Sequence, residues 1–328
     1  MPKKVSTFSI ITPAYNSGKY IQKCIDSVAN SEYDLSKVEH IIVNDGSIDN
    51  TEEIVLKNKK KFSHIKYYKK QNGNWGSVIN FVKHNHLAQN EYILILDSDD
   101  RITPQALKTV NKKCKDSDIF YGSFVMTDFK TKFFTVQPYY YVFKRNLTVT
   151  DKKKKSVIYT PLSIPCNTYF KNKLFYKSMD LKEKISYQDG ILYANLSFLA
   201  KTSRFTTECV AQYWKYRPGN TMSNFNNDKT FKSIMPKFEY ILKNGNFEPA
   251  VLQILGSPEF RKYLKKNNYK FHLKEKAKFQ WLPFYTKPFL WMLYGFFIKN
   301  YFVNDKKIIK KYSHVAENKR KQLLKKQK

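Results

Sequence analysis

Residues 92–100, YILILDSDD, form the most informative pattern in the sequence. Five apolar residues, four of them aliphatic, are followed at once by three carboxylates within four positions. A short apolar run with β-branched members predicts a buried strand. In an open α/β sheet, the carboxyl ends of the parallel strands line the crevice that binds ligands. We therefore expect these carboxylates to lie at a binding crevice.

Asp97 and Asp99 would leave the predicted strand together, separated by one small residue. Two carboxylates this close repel each other unless a cation or hydrogen-bond donors neutralise them. Hard oxygen ligands suit Mg²⁺ or Mn²⁺ that is also bound by the phosphates of a substrate. The alternative is a solvated turn, or the N-cap of a helix that begins near Thr103 and Pro104, because Asp-rich turns follow many strands. This stretch alone leaves both interpretations open.

The composition of the 328-residue chain is that of a folded and strongly basic protein. Hydrophobic residues make up 42% of the chain, which is enough for a sizeable core and argues against disorder. The formal net charge of +32 predicts attraction to nucleic acid, to an anionic membrane surface or to phosphate-bearing substrates. An aromatic content of 16% suits either base stacking or contact with a membrane interface, and composition does not choose between them.

The cysteines are scattered and carry no metal-binding or disulfide pattern. Cys24, Cys114, Cys166 and Cys209 form no CxxC motif and have no histidine at ligand spacing. We therefore expect reduced, mostly buried thiols. Residues 1–4 lead directly into a strand-like run without a long apolar segment, so we expect no signal peptide and a cytoplasmic protein.

Strand and helix patterns alternate along the first half of the chain. The predicted strands lie at residues 8–11, 40–43, 65–68 and 92–96. Apolar residues at helical spacing separate each strand from the next, and this alternation predicts a parallel, doubly wound sheet. Since parallel strands end at the same sheet edge, the loops after residues 12, 44, 70 and 96 should converge on one crevice.

Four loop motifs follow these strands: ITPAYN at 11–16, VNDGSIDNT at 43–51, Asn72-Gly73, and LDSDD at 96–100. Each motif is weak alone, but their order and spacing are specific. The sequence resembles the family 2 glycosyltransferases over about residues 5–125, and more weakly to about residue 225. The resemblance implies the nucleotide-sugar-binding GT-A fold, an α/β fold with a Rossmann-like, mostly parallel sheet flanked by helices.

The loops after the first two strands would bind the nucleoside. Asp45 can accept a hydrogen bond from the imide N–H of uracil, and the resemblance implies this role. Tyr15 can stack on the base, or it can simply pack at a helix start, while the backbone of Pro13 and Ala14 can hold the ribose. Asn44 replaces the first acidic residue of the family pattern Asp-Asp-Gly-Ser, so no ribose contact is expected from it.

The loops after the next two strands would bind the diphosphate and the metal. Asn72 resembles the start of the family's Asn-Gly-Gly loop, which passes the nucleotide. Trp75 either lines the donor or acceptor pocket or packs in the core. Asp99 resembles the metal-binding member of the DXD motif, with Asp97 nearer the ribose and Ser98 also in the nucleotide-sugar site. Mn²⁺ or Mg²⁺ at Asp99 would neutralise the departing diphosphate.

Asp189 is the candidate general base. It begins an apolar helical pattern over residues 191–199, where an acid is usually a cap. Family members carry a Glu-Asp or similar pair here, with the aspartate as base; Gln188 replaces the glutamate, so only Asp189 is assigned a role. A single base without a protein nucleophile implies inversion. Asp100 receives no role beyond capping or packing.

The segments after the DXD strand are harder to interpret. A further strand is predicted over residues 118–124, and residues 133–136 and 139–143 suggest a hairpin. Residues 213–223 resemble a family loop that closes over the diphosphate. In this loop Arg217 can pair with phosphate or can merely tether the loop, and Arg is better suited to phosphate than Lys.

The C-terminal part has a different pattern. Residues 279–303 are rich in aromatic side chains, but their uninterrupted apolar part, residues 289–298, is only half of the about 20 residues that span a bilayer. Residues 304–328 carry ten Lys and Arg against two acids, a local balance of +8. Together they predict an interfacial segment with a basic cluster that binds anionic lipid. The alternative is a domain interface or an oligomer contact.

The sequence thus predicts a glycosyltransferase domain over residues 1–227, with a nucleotide-sugar half (about 1–125) and an acceptor half (about 126–227), and a helical, aromatic and basic extension over 228–328. We expect an inverting, metal-assisted transferase that moves a sugar from a nucleotide donor, with UDP as the expected nucleotide, to a glycan or lipid-linked hydroxyl on the inner membrane face. One alternative is a soluble or protein acceptor, with the extension used for homo-oligomerisation. A nucleic-acid-binding protein is the remote alternative, but no such module is recognisable, and nucleic acid is not an expected partner.

Overall fold

The computed structural model describes residues 5–128, 134–137, 164–183 and 188–215. They form one nine-stranded sheet covered by helices. The strands are β1 (Phe8–Ala14), β2 (Val38–Asn44), β3 (Ile65–Lys69), β4 (Tyr92–Ile95), β5 (Arg101–Ile102), β6 (Ile119–Asp128), β7 (Phe134–Gln137), β8 (Thr168–Lys171) and β9 (Ser203–Lys215). The helices are α1 (Ile21–Ala29), α2 (Thr51–Lys59), α3 (Asn74–His84), α4 (Ala106–Lys113), α5 (Asn172–Lys177) and α6 (Asp189–Leu199).

The sheet runs in the order β3-β2-β1-β4-β8-β6-β9-β5, and β7 pairs with β6 outside this path. The pairs β1–β2, β1–β4, β2–β3 and β6–β9 are parallel. The prediction of an α/β sheet flanked by helices is confirmed, but the sheet is mixed, because four of the eight observed pairings are antiparallel. The sequence did not predict that β8 runs antiparallel between β4 and β6, or that β5 pairs antiparallel with β9.

Strand β4 is central because its side chains alternate between two cores. Ile93 and Ile95 pack in one hydrophobic cluster with α3, α5 and α6. Leu94 and Leu96 pack in another with α1 and α4. All four are fully buried, and burying each side chain stabilises the fold by about 1.5–3 kcal/mol. The apolar run of the sequence is continuous because both faces of this strand are covered.

A third cluster extends the α1 face toward the edge of the sheet. It joins α1 and α2 to the near faces of β1, β2 and β3 through residues such as Ile25, Ile42 and Val55. Helices α1, α2 and α4 therefore cover one face, and α3, α5 and α6 cover the other. This is the doubly wound arrangement that the alternating pattern predicts.

The region after β4 differs in part from its prediction. The strand predicted over residues 118–124 is observed as β6. The first arm of the predicted hairpin is observed as β7, but it pairs antiparallel with β6, and residues 139–143 lie outside the described part of the chain. The predicted helix start near Thr103 and Pro104 lies two residues before α4.

The pairing of β6 with β9 contains a register shift at Gly122. A Cβ atom at this position would lie 2.2 Å from Cγ2 of Val210, so glycine is required by the close approach of the two strands. The last residues of β9 reach the carboxylates that follow β4, because the backbone N–H of Trp214 donates to Asp100.

The cysteines, the helices and the C-terminal extension can also be compared with their predictions. All four cysteines are free, and Cys24, Cys114 and Cys166 are buried, as predicted. Among the described residues, no helix has the length and apolar character needed to cross a membrane. The extension over residues 228–328 lies outside the described ranges, so the domain boundary at 227 stays a prediction.

Candidate active site

The carboxyl ends of four parallel strands place their loops at one edge of the sheet. Ala14 at the end of β1 pairs with Asn44 at the end of β2, and Ile11 pairs with Ile95 near the end of β4. The N–H of Lys70, directly after β3, donates to the carbonyl of Asn44 at 2.9 Å. The four loops that the sequence predicts to converge therefore do so, and Pro13 and Ala14 lie at this edge.

Hydrogen bonds join the loop after β1 to its neighbours. The hydroxyls of Ser17 and Ser98 are 2.7 Å apart and buried, which ties this loop to the DXD segment. The N–H of Ile48 donates to the side chain of Asn16 at 2.9 Å, which ties it to the loop after β2. Tyr15, between these contacts, remains 53% exposed and so is available for stacking on a ligand.

Asp45 is buried and already has several partners. Its carboxylate accepts a hydrogen bond from Nζ of Lys70 at 2.8 Å and from the N–H of Gly73 at 3.1 and 3.2 Å. The amide of Asn72 donates to the backbone carbonyl of Asp45 at 3.0 Å. Gly46 adopts a φ of +76°, which glycine tolerates best, and its backbone packs against Asn72. The loops after β2 and β3 thus form one hydrogen-bonded unit.

Lys70 was not singled out by the sequence analysis. Its ammonium also donates to Oγ of Ser77 at 2.8 Å, so it links the end of β3 to helix α3. The signal that could have identified it is positional: Lys70 is the first residue after a strand whose carboxyl end faces the crevice.

Asn44 supports the loop that follows it. Its side-chain oxygen accepts from the N–H of Ser47 at 2.8 Å, and its side-chain nitrogen donates to the hydroxyl of Tyr67 at 3.1 Å. Because both ends of this buried amide are used inside the protein, Asn44 shapes the turn after β2.

Asp97 accepts a hydrogen bond from Trp75, for which the sequence left two roles open. Nε1 of Trp75 donates to Oδ1 of Asp97 at 2.9 Å, while the Trp75 ring packs against the core cluster on the α3 face. The packing interpretation of Trp75 is therefore confirmed, and its role in lining the donor or acceptor pocket stays a prediction. Asp97 and Asp99 are partly exposed at the crevice, and Ser98 between them is buried.

Asp100 has a larger structural role than the sequence suggested. It is 1% exposed, and Oδ1 accepts a hydrogen bond from the N–H of Trp214 at 3.0 Å. Burial, followed by the charges of Asp99 and Asp97, raises the pKa of Asp100 well above its usual range. The guanidinium of Arg101 lies 5.0 Å from the ring centre of Trp214. The end of β9 is thereby joined to the DXD segment.

Asp189 comes close to the same carboxylates. It is the first residue of α6, where the helix dipole favours a negative charge. Burial raises the pKa of Tyr213, and the nearby charges of Asp100, Asp97, Asp189 and Asp99 raise it further, in that order. The charges of the candidate base and of the DXD carboxylates therefore act on one partly buried tyrosine, although these residues are about 90 residues apart in sequence.

The donor set fits a divalent ion only in part. Within the described ranges, no group of three His, Cys, Asp or Glu side chains could bind a metal by itself. Asp97 and Asp99 offer hard oxygen ligands, so the residues present fit a Mg²⁺ or Mn²⁺ ion whose coordination is completed by phosphate oxygens and water. Arg217, the predicted phosphate ligand, lies outside the described residues.

The chain was then compared with known proteins. The family model described as "Glycosyl transferase family 2" matches residues 9–177, which is just over half of the chain. The chain belongs to glycosyl transferase family 2. The matched span contains all the predicted nucleotide-sugar loops and excludes Asp189 and Arg217.

Two curated relatives extend the similarity over most of this family 2 glycosyltransferase. An uncharacterized glycosyltransferase of Mycoplasma pneumoniae is 34% identical over 299 residues, covering 90% of this chain and 97% of the relative. An uncharacterized glycosyltransferase of Mycoplasma genitalium is 36% identical over 301 residues, covering 90% and 95%. The similarity is therefore nearly full-length.

Solved structures share the fold. Residues 1–349 of S. aureus TarS in complex with UDP-GlcNAc match with a TM-score of 0.58 and 23% identity, covering 83% of this chain and 78% of that one. The mannosyltransferase PcManGT of Pyrobaculum calidifontis, in complex with GDP-Man and Mn²⁺, matches with a TM-score of 0.51 and 15% identity, covering 84% and 79%. These matches establish the GT-A glycosyltransferase fold.

Replacing Lys70 by Met should destabilise this family 2 glycosyltransferase by roughly 1–3 kcal/mol, because a buried carboxylate would lose its cationic partner. The side chains of Lys70 and Asp45 are 17% and 3% exposed, so solvent screens the pair little. Urea unfolding at pH 7 measures the change.

Lys69→Met is the matched control. Lys69 is the preceding residue, and its ammonium pairs with Glu52 at 2.5 Å, with side chains 53% and 34% exposed. An exposed pair of this kind contributes about 0–1 kcal/mol. Equal losses of stability in the two variants would contradict the structural role assigned to Lys70.

Proposed function

We propose that this enzyme is an inverting glycosyltransferase that moves a sugar from a nucleoside diphosphate donor to a hydroxyl of a glycan or lipid-linked acceptor. One observation carries the proposal: two consecutive residues of α3 contact the segments that bear these carboxylates, because Trp75 donates to Asp97 and Gly76 packs against Gln188, the residue before Asp189. Donor activation and proton removal must occur within a few ångströms of each other, and this arrangement supplies carboxylates for both tasks.

The donor is proposed to be a UDP-sugar. Asp45 would accept the imide N–H of uracil, and the exposed ring of Tyr15 would stack on the base. Pro13, Ala14, Asn72 and Ser98 would complete the nucleotide-sugar site. The TarS structure in complex with UDP-GlcNAc supports a UDP-sugar, whereas the GDP-Man complex of PcManGT keeps a guanine nucleotide as the alternative.

The proposed metal is Mn²⁺ or Mg²⁺ at Asp99. When bound, it would neutralise negative charge that develops on the departing diphosphate. The chain's own contribution is to hold Asp97 and Asp99 at the crevice with the Trp75 hydrogen bond and the Ser17–Ser98 contact. The Mn²⁺ in the PcManGT structure supports this proposal.

Asp189 is proposed to act as the general base. The acceptor oxygen forms a bond to the anomeric carbon while the bond from that carbon to the diphosphate oxygen breaks, and the hydroxyl proton passes to the Asp189 carboxylate. Attack from the side opposite the leaving group inverts the anomeric centre.

A soluble or protein-bound acceptor is the alternative, with the C-terminal extension serving homo-oligomerisation. We propose the membrane-bound acceptor first because of the aromatic segment at residues 279–303 and the balance of +8 over residues 304–328. Such a segment would hold the enzyme on the inner, anionic face of the cell membrane.

Asp99→Ala should abolish donor turnover that depends on Mn²⁺, because the metal would lose its protein ligand. The assay measures release of nucleoside diphosphate from UDP-, GDP- and dTDP-sugars with Mn²⁺, Mg²⁺ or chelator. Rapid turnover by the variant, or turnover by the wild type that is insensitive to chelator, would contradict the metal assignment.

Asp189→Asn should bind the donor normally but transfer sugar about 100-fold or more slowly, because the amide cannot accept the proton. Calorimetric titration with the nucleoside diphosphate measures binding, and labelled sugar transferred to acceptor measures catalysis. Transfer at the wild-type rate would remove Asp189 as the base.

Neutralising the basic extension should weaken membrane binding. Each Lys near an anionic surface contributes about 1 kcal/mol, so four Lys→Ser changes should lower vesicle affinity by at least 100-fold. The positions are Lys306, Lys307, Lys310 and Lys311. Co-sedimentation with vesicles containing 30% anionic lipid measures binding, and zwitterionic vesicles are the control. Unchanged sedimentation would favour the oligomer alternative, which ultracentrifugation detects.

A further inference from the structure

The first turn of α3 contacts both carboxylate-bearing segments of the site through two consecutive residues. The indole nitrogen of Trp75 donates to Asp97 on the DXD segment at 2.9 Å. Gly76 packs directly against Gln188, the residue that precedes Asp189. One rigid turn therefore lies between the donor side and the base side of the site.

The hydrogen bond from Trp75 sets the orientation of the Asp97 side chain and stabilises its carboxylate. The indole N–H can only donate, and the ring is held by core side chains on the α3 face, so the direction of the hydrogen bond is set by packing. A hydrogen bond to a carboxylate is stronger than one between neutral groups. The orientation of Asp97 is therefore set by the position of α3.

Gly76 can lie against the side chain of Gln188 because glycine has no side chain of its own. A Cβ atom at Gly76 would lie 2.5 Å from both Nε2 and Oε1 of Gln188, so the buried amide of Gln188 would have to move to make room for it. Its backbone does not require a positive φ, so glycine is present for space. Glycine at this position lowers the stability of α3 by about 1 kcal/mol relative to alanine.

Gln188 connects Gly76 to the candidate base, because it contacts Gly76 and directly precedes Asp189. It is 2% exposed, and its backbone carbonyl accepts the N–H of Leu192 at 3.0 Å in the first turn of α6. Asp189 is the next residue, so the place where Gln188 packs sets where α6 begins and where its first carboxylate lies.

We propose that Trp75 and Gly76 are positioning residues, and that this turn of α3 sets the separation between Asp97 on the donor side and Asp189, the base. The inference rests on the proposed function. An independent observation supports their proximity: after burial, the charges of Asp97 and Asp189 are the two largest causes that raise the pKa of Tyr193.

The test measures kcat and donor KM separately for Trp75→Phe, Gly76→Ala and Gln188→Ala in the full-length enzyme. Gly76→Ala should lower kcat by about 10–100-fold with donor KM within about twofold, because a small displacement of a catalytic group has this effect. Trp75→Phe should lower kcat/KM by about 10-fold, since it removes a hydrogen bond to a charged group.

Two further variants separate positioning from general damage. Gly76→Ala combined with Gln188→Ala should be more active than Gly76→Ala alone, because the atoms that the new methyl group meets are gone. Asn85→Ala is the control: it removes one hydrogen bond, from Nδ2 to the carbonyl of Phe81 at 2.9 Å, at the far end of the same helix, and should leave kcat unchanged.

The outcomes distinguish this inference from the proposed function. A wild-type enzyme that transfers sugar from no nucleotide donor overturns both. An active wild type, with Gly76→Ala and Gln188→Ala matching Asn85→Ala in kcat, overturns the positioning role alone. If Gly76→Ala does not fold, Gln188→Ala tests the same contact from the other side, and a retained kcat there overturns the inference.

Discussion

The parallel pairing of β1 with β2 on one side and β4 on the other is the constraint on which this structure depends. Its register brings the ends of these strands to one edge, so that residues far apart in sequence become neighbours. The pairing is stable because side chains of β4 are buried on both faces. A shift of one residue in β4 would exchange its two sets of core side chains and move the DXD segment out of the crevice.

Negative charge at this edge is balanced locally, and not by the excess of basic residues. Asp45 is bound by Lys70 and a backbone N–H, Asp97 by the Trp75 indole, and Asp100 by the N–H of Trp214. The net charge of +32 comes from 59 Lys and Arg residues that are spread along the whole sequence. An acidic site can thus exist within a strongly basic protein, because fixed donors act over a few ångströms while solvent screens distant charges.

The sequence predicted the sheet, the convergence of the loops and the burial of β4, because these follow from hydrophobic periodicity and chain direction. It did not predict the antiparallel β8, since a four-residue strand takes its direction from partners on β4 and β6 that are distant in sequence. It also missed Lys70, the Gly76–Gln188 contact and the bond from Asp100 to β9. Each of these depends on side-chain packing between elements that no local pattern connects. Arg217 and the C-terminal extension remain sequence predictions.

The contact between Ser17 and Ser98 has a consequence for the kind of group that can bind there. The Ser17 hydroxyl has one proton, and two acceptors are in reach: the carbonyl of Tyr15 at 3.2 Å and the hydroxyl of Ser98 at 2.7 Å. When that proton points to Tyr15, Ser98 donates in the 2.7 Å contact and offers a ligand lone pairs alone. Such an oxygen can accept a hydrogen bond from a sugar hydroxyl. It repels a phosphate oxygen, which has no proton to donate. Proton direction in one buried pair of hydroxyls can therefore decide which part of a nucleotide sugar lies against the DXD segment.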